Sequence, residues 1–488
     1  MNPPPRVLVS HATHHTDCNC ACADDEDQID PDLSFTITSQ WVLHPHTTWE
    51  PLDESHVVCI SPIGDGTVAV LDRTTQRLLA ARHPPQFASP EGVVAVDDRE
   101  SAGVLKELAS AGLITPWPQP QATHAARPAM LTAWLHLTHA CNLRCSYCFV
   151  QHNAQRMSEA VGRRAVDAAF RAAADGGYKS VKLKYAGGEP TLVFDLVKSL
   201  HRHARQASQR HGIVLRELLL SNGVRLSDDM LAYLRAEAIK LMISLDGVGE
   251  LHDHQRPTVR GGATFDAVAD AIDRCLLHDL WPDLSITVTA QNAGGLAQVV
   301  EYALDRALRF NLNFVRISDG ATPAEHRADD EKLIDGVRAA LQVIQRRLPP
   351  YRLIDGLLDR STFHTAHDYA CGAGRNYLAI GPDGRVARCH TELNAAVGHV
   401  DDPNLLSAIR FAEFPGALHA VAASEREGCS TCRWRPWCGG GCPLLANKAS
   451  GAWDQRSPYC SVYQALYPEV LRTEGMRLLK YATALANA

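Results

Sequence analysis

The sequence of 488 residues lacks several features that mark common classes of protein. It has no run of about 18 apolar residues, which a membrane-spanning helix would need, so no membrane span is expected. It has no basic excess, because 48 Lys and Arg stand against 55 Asp and Glu; the net charge of −7 gives no support to nucleic-acid or anionic-membrane binding. The N-terminus, MNPPPRVLVSHATHHTDC, has no adequate apolar core for a signal peptide. The expected location is therefore the cytoplasm.

Cysteine is abundant instead, with fifteen in the chain. A disulfide framework is not expected in a reducing compartment, and soft thiolates favour zinc, Cu(I) or iron–sulfur clusters. The cysteines are grouped: three lie in 18–22, three in 141–148 and seven in 371–460. Cys59 and Cys275 are isolated in apolar patterns, which indicates buried thiols. Metal ligation is the favoured interpretation for the groups.

Changes in composition divide the chain into five parts. Residues 1–33 are predicted to be a flexible extension rich in His, Cys and Asp. The pattern of residues 34–118 predicts a small α+β domain. Its predicted strands lie in FTITSQWVL, HVVCI and TVAVL, and its predicted helices lie near 74–82 and 99–113. Residues 119–130 are a Pro/Ala-rich linker, and 346–488 are irregular and rich in Gly, Pro, Cys and Trp.

The remaining part, 131–345, alternates apolar strand patterns with helical patterns, which predicts a parallel α/β sheet. The six predicted strands are 133–138, 181–186, 217–221, 240–246, 284–290 and 312–318. Six strands favour an open, partial (β/α)6 barrel over a closed one with eight. Functional sites in such folds lie at the carboxyl ends of the strands.

Three cysteines, Cys141, Cys145 and Cys148, follow the first of these strands in a C-x3-C-x2-C pattern. A cubane [4Fe–4S] cluster has four irons, so three thiolates leave one iron open to a substrate or cofactor. A zinc site or three unrelated buried thiols are the alternatives, but zinc sites usually have four ligands in paired spacing.

With Tyr147 before the last cysteine, this pattern resembles the motif of the radical S-adenosylmethionine (radical SAM) superfamily. The resemblance implies that the three cysteines are the catalytic cluster ligands and that SAM chelates the open iron. A 5′-deoxyadenosyl radical would then abstract a substrate hydrogen.

Further residues at the strand ends extend the resemblance. The segment YAGGEP at 185–190 resembles the family's GGEP motif, which meets the SAM amino group. Polar residues at the next two strand ends could line the SAM pocket, although Asp246 and Arg256 could instead form a loop salt bridge. The predicted SAM-binding residues are Gly187, Gly188, Glu189, Pro190, Ser221, Asn222, Ser244, Asp246 and Arg256.

The seven C-terminal cysteines resemble the SPASM domain of peptide-modifying radical SAM enzymes at every spacing. The resemblance implies two auxiliary [4Fe–4S] clusters with interleaved ligands; the alternative is a pair of zinc knuckles. The first cluster would be held by Cys371, Cys389 and Cys442. The second would be held by Cys429, Cys432, Cys438 and Cys460.

Two positions depart from relatives of this type. Sulfatase maturases have a further cysteine where this chain has Thr365, so the first auxiliary cluster is expected to have an open iron. His364, His367, Asp368 or a substrate thiolate could fill it. The catalytic aspartate of those enzymes is replaced by His390, which argues against formylglycine formation.

Residues 34–118 resemble the winged-helix, PqqD-like domain that binds leader peptides by adding them as a strand to a sheet edge. An unrelated capping domain is the alternative. Cys18, Cys20 and Cys22 could bind metal, relay thiols, mimic a peptide substrate or lie in a disordered tail.

The predicted function is therefore maturation of a ribosomally made precursor peptide by a radical SAM/SPASM enzyme. The product would be a thioether or C–C crosslink, and the electron donor a flavodoxin or ferredoxin. Thioether installation in a larger subunit, of the quinohemoprotein type, and a non-catalytic iron–sulfur peptide-binding scaffold are the rival functions.

Overall fold

The computed structural model describes residues 7–10, 41–43, 46–62, 67–73, 75–76, 107–109, 112–116, 129–316, 326–327, 329–411 and 420–485. Its largest element is a sheet of nine strands. The strands are β7 (Met130–His136), β8 (Ser180–Ala186), β9 (Val214–Ser221), β10 (Lys240–Ser244), β11 (Asp283–Val288), β12 (Phe310–Phe314), β13 (Tyr377–Ile380), β14 (Arg385–Ala387) and β15 (Ala396–His399). Their order across the sheet is β12-β11-β10-β9-β8-β7-β13-β14-β15.

The first six of these strands, β7 to β12, pair in parallel in chain order, which confirms the predicted parallel α/β sheet. β13 then adds to the open side of β7, also in parallel, and β14 and β15 continue antiparallel. All seven residues of β7 and of β8 are buried, as expected for strands covered on both faces. The carboxyl ends of β7 to β10 thus meet along one edge of the sheet.

Helices connect and flank the strands. They are α1 (Glu159–Gly176), α2 (Phe194–His211), α3 (Asp228–Ala236), α4 (Glu250–Gln255), α5 (Phe265–Leu277), α6 (Leu296–Asp305), α7 (Asp330–Arg346), α8 (Leu405–Phe411), α9 (Arg435–Cys438), α10 (Pro443–Ser450) and α11 (Cys460–Leu485). Local signals set their ends: the Ser158 side chain caps α1 by accepting from Val161 N, and Gly177 ends it at φ 72°.

A buried polar network ties α2 to the sheet. His201 places Nδ1 2.7 Å from Glu217 and Nε2 3.0 Å from Glu237, and the Tyr185 hydroxyl donates to Glu217. Burial lowers the pKa of His201, but hydrogen bonds and charges of the two glutamates offset this, and the pKa is raised overall. Protonated His201 therefore stabilises the folded chain.

The change His201→Gln should destabilise the protein more at pH 6 than at pH 9. A pKa raised in the folded state gives stabilisation that is full below the unfolded value, about 6.5, and is lost as the pH rises through the folded pKa. Breaking a buried pair costs about 3 kcal/mol. Urea unfolding at both pH values measures the difference, with His203→Gln on the same helix as control, since its partner Asp167 is 39% exposed. An equal loss at both pH values would contradict the charged pairing.

The N-terminal part has six strands, which are β1 (Val7–Ser10), β2 (Trp41–Leu43), β3 (Thr48–Pro51), β4 (His56–Ile60), β5 (Val68–Asp72) and β6 (Ile114–Pro116). Four of them form an antiparallel sheet in the order β1-β5-β4-β3. The other two, β2 and β6, pair separately.

This sheet corrects one prediction and leaves others untested. Residues 7–10, expected within a flexible extension, pair instead with β5. Strands in HVVCI and TVAVL are confirmed as β4 and β5. The predicted helices at 74–82 and 99–113 lie mostly outside the described residues, so the winged-helix assignment stays a prediction.

The N-terminal sheet packs on the C-terminal helix α11. A Cβ added at Gly475 of α11 would lie 2.8 Å from Leu52 and Val58. Buried Glu50 pairs with Arg433 at 2.8 Å and with Arg472 at 3.4 Å. The first and last parts of the sequence thus form one packed unit. Among the described helices, none is both long and apolar enough to cross a membrane.

Candidate functional site

The three cysteines after β7 lie in a loop that is held at both ends. Leu137 N donates to Ala186 O at 2.8 Å, Arg144 N to Pro257 O at 2.8 Å and Ser146 N to Gln255 O at 3.0 Å. The charges of Cys141, Cys145 and Cys148 act on one another, so the side chains are neighbours. Burial raises the pKa of Cys141 and of Cys145 to about 11. Thiols so desolvated become thiolates only beside a compensating cation, such as a bound metal.

The glycine pair of the GGEP segment lies directly against this loop. Gly188 N donates to Thr138 O at 2.6 Å, and Glu189 N donates to Ala140 O at 2.9 Å. A Cβ at Gly187, where φ is +151°, would lie 2.5 Å from Thr138 O, and one at Gly188 would lie 2.3 Å from Ala140 O. Only glycine permits this approach of two backbones.

The change Gly188→Ala should therefore push the cysteine loop away from β8. Overpacking costs about 1–3 kcal/mol, so we expect the KM for SAM to rise about tenfold and the iron content to fall. Anaerobic iron analysis and SAM titration measure both. Gly294→Ala is the matched control, because nothing lies within 4 Å of a Cβ there. Equal behaviour of the two variants would contradict the close packing.

Glu189 joins the ends of β8 and β9. Its buried carboxylate accepts from Thr191 N at 3.0 Å, Thr191 Oγ1 at 2.7 Å, Ser221 Oγ at 3.0 Å and Asn222 N at 2.8 Å. Asn222 Nδ2 in turn donates to Asn142 Oδ1 at 2.9 Å, within the cysteine loop. Ser221 and Glu189 are thus engaged with each other, and Asn222 reaches toward the cluster loop.

Asp246 and Arg256 form a salt bridge, with Arg256 Nη1 and Asp246 Oδ2 3.4 Å apart. This pairing is the alternative to SAM binding that the sequence left open. The Tyr147 hydroxyl lies between them, donating to Asp246 at 2.5 Å and accepting from Arg256. Arg256 Nε is buried without a hydrogen-bond partner. The pairing thus leaves that donor available for a further acceptor.

The role of the Tyr147 hydroxyl was not predicted, because the sequence shows only its place in the motif. Ser244 ends β10 beside Ser285 of β11. Pro190 begins the short 3-10 helix after Glu189.

Four of the C-terminal cysteines lie around one cavity. Cys429, Cys432, Cys438 and Cys460 line it, together with the aromatic rings of Trp434, Tyr463 and Tyr467. Burial raises the pKa of Cys438 to about 12. This is the set that the resemblance assigns to the second auxiliary cluster.

The other three C-terminal cysteines form a separate group. The charges of Cys371 and Cys442 act on Cys389, and burial raises the pKa of Cys389 to about 11. Arg360 lies near Cys371 and Cys442, and Arg316 near Cys442. Although Cys442 is four residues after Cys438 in the sequence, the fold places the two in different groups.

The residues that could add a fourth ligand to Cys371, Cys389 and Cys442 have other contacts. Asp368 accepts from Ser424 N at 2.9 Å, and His367 Nδ1 lies 3.2 Å from Thr365 O. His364 Nδ1 lies 3.9 Å from Asp355. In the described ranges, no three His, Cys, Asp or Glu side chains are placed to hold a single metal ion. Cluster thiolates instead surround a volume, because each binds a different iron.

The isolated cysteines behave as predicted, since Cys59 and Cys275 are both fully buried. Cys18, Cys20 and Cys22 lie outside the described residues.

Comparisons with known proteins agree with this geometry. The Radical SAM superfamily model matches residues 135–294. The chain is 26% identical over 356 residues to the serine-type anaerobic sulfatase-maturating enzyme of Klebsiella aerogenes, covering 68% of this chain and 83% of that protein. It is 25% identical over 365 residues to the PqqA peptide cyclase of Rhodopseudomonas palustris, covering 70% and 89%.

Solved structures show the same fold. Native anSMEcpe with bound AdoMet superposes with a TM-score of 0.58 at 18% identity, covering 73% of this chain and 100% of that chain. The same enzyme with AdoMet and the Cp18Cys peptide gives 0.55 at 17% identity, covering 73% and 99%. The chain therefore contains a radical SAM domain and is homologous to the anaerobic sulfatase-maturating enzymes and the PqqA peptide cyclase.

Proposed function

We propose that this chain is a radical SAM enzyme that matures a ribosomally made precursor peptide by forming a thioether or C–C crosslink. The observation that carries the proposal is the packing of the three-cysteine loop on the GGEP turn, in a chain homologous to protein- and peptide-modifying enzymes. When bound, a [4Fe–4S] cluster with SAM would supply the radical chemistry, namely abstraction of a hydrogen atom from the peptide.

The chain's own residues hold and shield this chemistry. Cys141, Cys145 and Cys148 would bind three irons from a loop fixed by backbone hydrogen bonds. The two glycines would leave room for SAM to approach the backbone, and Arg256 Nε would donate to its carboxylate. Buried side chains on both faces of β7 and β8 would keep water from the radical.

The seven C-terminal cysteines are proposed to hold two auxiliary clusters. Two observations support an interleaved division of the ligands: Cys429, Cys432, Cys438 and Cys460 line one cavity, and Cys371 and Cys442 lie near Cys389. The aromatic rings of Trp434, Tyr463 and Tyr467 in the lining of that cavity suit a cluster whose potential depends on exclusion of solvent.

Formylglycine formation is the second candidate, because a sulfatase-maturating enzyme is among the relatives. His390 argues against it. Its ring stacks on Trp134 with centroids 4.3 Å apart, and Nδ1 lies 2.9 Å from the Tyr377 hydroxyl. Burial and nearby cationic groups hold the pKa of His390 well below 6.5, so the site presents a neutral imidazole instead of a carboxylate.

The test is anaerobic turnover of the reduced protein with SAM. Release of 5′-deoxyadenosine would support the radical SAM activity, and its absence from cluster-loaded protein would favour the peptide-binding scaffold. Co-expression with short Cys-containing peptides encoded near the gene then tests the substrate. A crosslink lowers the peptide mass by the two hydrogens removed, whereas formylglycine formation from a sulfatase peptide would identify the second candidate.

Leader docking is proposed at the N-terminal sheet, by strand addition. One edge of this sheet is β1, the chain's own Val7–Ser10, which pairs with β5. Deleting residues 1–10 should expose β5 as an edge and tighten leader binding about tenfold, measured by fluorescence anisotropy of the labelled cognate peptide. A proline in the opposite edge strand, Thr48→Pro in β3, should not tighten leader binding. Weaker binding after the deletion would mean that residues 1–10 belong to the docking surface.

A further inference from the structure

Arg256 is held in one orientation by contacts of both its backbone and its side chain. Its backbone N donates to His252 O at 2.8 Å, and its backbone O accepts from Thr264 Oγ1 at 2.7 Å. Its Nη1 donates to the Tyr147 hydroxyl and lies 3.4 Å from Asp246 Oδ2. Its Nε is buried without a hydrogen-bond partner. Since a guanidinium is planar, holding Nη1 also sets the direction in which this remaining donor points.

The close contact with the Arg256 guanidinium is made by the Tyr147 hydroxyl. The 3.4 Å between Arg256 Nη1 and Asp246 Oδ2 is longer than the roughly 2.7–2.9 Å of a charge-assisted hydrogen bond. The hydroxyl fills this gap, because it donates to Asp246 Oδ2 at 2.5 Å and accepts from Arg256 Nη1. Without the hydroxyl, the guanidinium would keep only the longer contact with the carboxylate.

Asp246 is too firmly held to replace the hydroxyl by moving towards Arg256. Its Oδ1 accepts from Thr287 N at 2.8 Å, its backbone N donates to His252 Nδ1 at 3.2 Å, and its backbone O accepts from Asn292 Nδ2 at 2.6 Å. The carboxylate and the backbone of Asp246 are thus both engaged by other parts of the fold. The orientation of the guanidinium therefore depends on the hydroxyl that lies between the two charged groups.

Tyr147 also belongs to the loop that carries Cys141, Cys145 and Cys148. The residue before it, Ser146, donates through its backbone N to Gln255 O at 3.0 Å. The segment that carries the guanidinium thus lies directly against the cysteine loop. One side chain of that loop therefore sets the orientation of a donor on the neighbouring segment.

We infer that Tyr147 is a positioning residue, whose hydroxyl directs Arg256 Nε towards the carboxylate of SAM. The inference rests on the proposed function and adds to it a residue that acts on the SAM site through another residue. A phenylalanine ring would fill the same space but could neither donate to Asp246 nor accept from Arg256. The contribution of the hydroxyl should therefore be measurable as recognition of a carboxylate.

Equilibrium dialysis of the anaerobic holoenzyme against radiolabelled SAM and against decarboxylated SAM tests the inference. Tyr147→Phe should weaken SAM binding about tenfold, because a hydrogen bond to a charged group contributes about that factor or more. Binding of decarboxylated SAM should change by less than about twofold, since that molecule offers Arg256 no carboxylate. The iron content, measured on the same samples, should equal that of the wild-type protein.

Two further variants show whether the hydroxyl acts through Arg256. Arg256→Gln should weaken the binding of SAM more than that of decarboxylated SAM, and adding Tyr147→Phe to it should cause no further loss. Tyr302→Phe on α6 is the matched control, because the Tyr302 hydroxyl is buried without a hydrogen-bond partner. This control should leave both affinities unchanged.

Loss of iron from Tyr147→Phe, or an equal loss of affinity for both ligands, would mean that the hydroxyl only supports the fold of the loop, and the inference would be wrong. A further loss in the double variant would also contradict it, because the two residues would then act independently. Unchanged SAM affinity of Tyr147→Phe, in an enzyme that releases 5′-deoxyadenosine, would overturn the inference alone. Failure of the wild-type holoenzyme to bind SAM would overturn the proposed function and the inference with it.

Discussion

Changing Cys141, Cys145 and Cys148 together to alanine should abolish 5′-deoxyadenosine release and lower the iron content from about twelve to about eight per chain. The loss is expected to be complete, because the three thiols are the only cysteines in the loop against which Gly187 and Gly188 pack. The other seven candidate ligands lie in two groups elsewhere in the fold. Iron and sulfide analysis of anaerobically purified protein, with quantification of deoxyadenosine, measures both effects.

The matched control for this variant is Cys275→Ala. That thiol is also fully buried, but it lies in α5 and packs in the apolar core. It should change neither the iron content nor the release of deoxyadenosine. If wild-type protein held about four irons that vanished in the triple variant, only the SAM site would carry a cluster, and the two auxiliary sites would have to be abandoned.

Much of the central fold could be predicted because its signals are local. Strands such as 181–186 are apolar runs between helical patterns, and the structure places a strand there at Ser180–Ala186. The predicted carboxyl ends of the strands were less accurate, since the strand predicted to reach residue 246 ends at Ser244. Asp246 leaves the strand because its carboxylate accepts from Thr287 N and from Tyr147, contacts that no local pattern reveals.

The residues that sequence reasoning missed act through contacts between distant segments. Arg316 and Asp359 meet only when β12 and the region after α7 pack together, and Tyr147 reaches Asp246 across the strand ends. The strand Val7–Ser10 was missed for the same reason, since its partner is β5 and its own sequence is short. The spacing of the cysteines, by contrast, was informative. The ligands of one small iron–sulfur cluster have to converge on it, which restricts the intervals between them in the sequence.

The proposed interleaved division of the C-terminal cysteines predicts the effect of changing one of them. Cys438→Ala should remove the second auxiliary cluster and lower the iron content by about four, while deoxyadenosine release persists and peptide crosslinking is lost. The reason is that Cys438 shares its cavity with Cys429, Cys432 and Cys460, away from the radical SAM loop.

Double variants distinguish this grouping from one that follows sequence order. Cys438→Ala with Cys460→Ala should lose no more iron than Cys438→Ala alone, because both thiols line one cavity. Cys438→Ala with Cys442→Ala should lose about eight irons, because Cys442 lies with Cys371 and Cys389. If the pair Cys438 and Cys442 lost only about four, neighbours in sequence would share a cluster, and the division of ligands would have to be redrawn. Additivity of iron loss thus reports which thiols hold the same cluster, without any assumption about the peptide that the enzyme modifies.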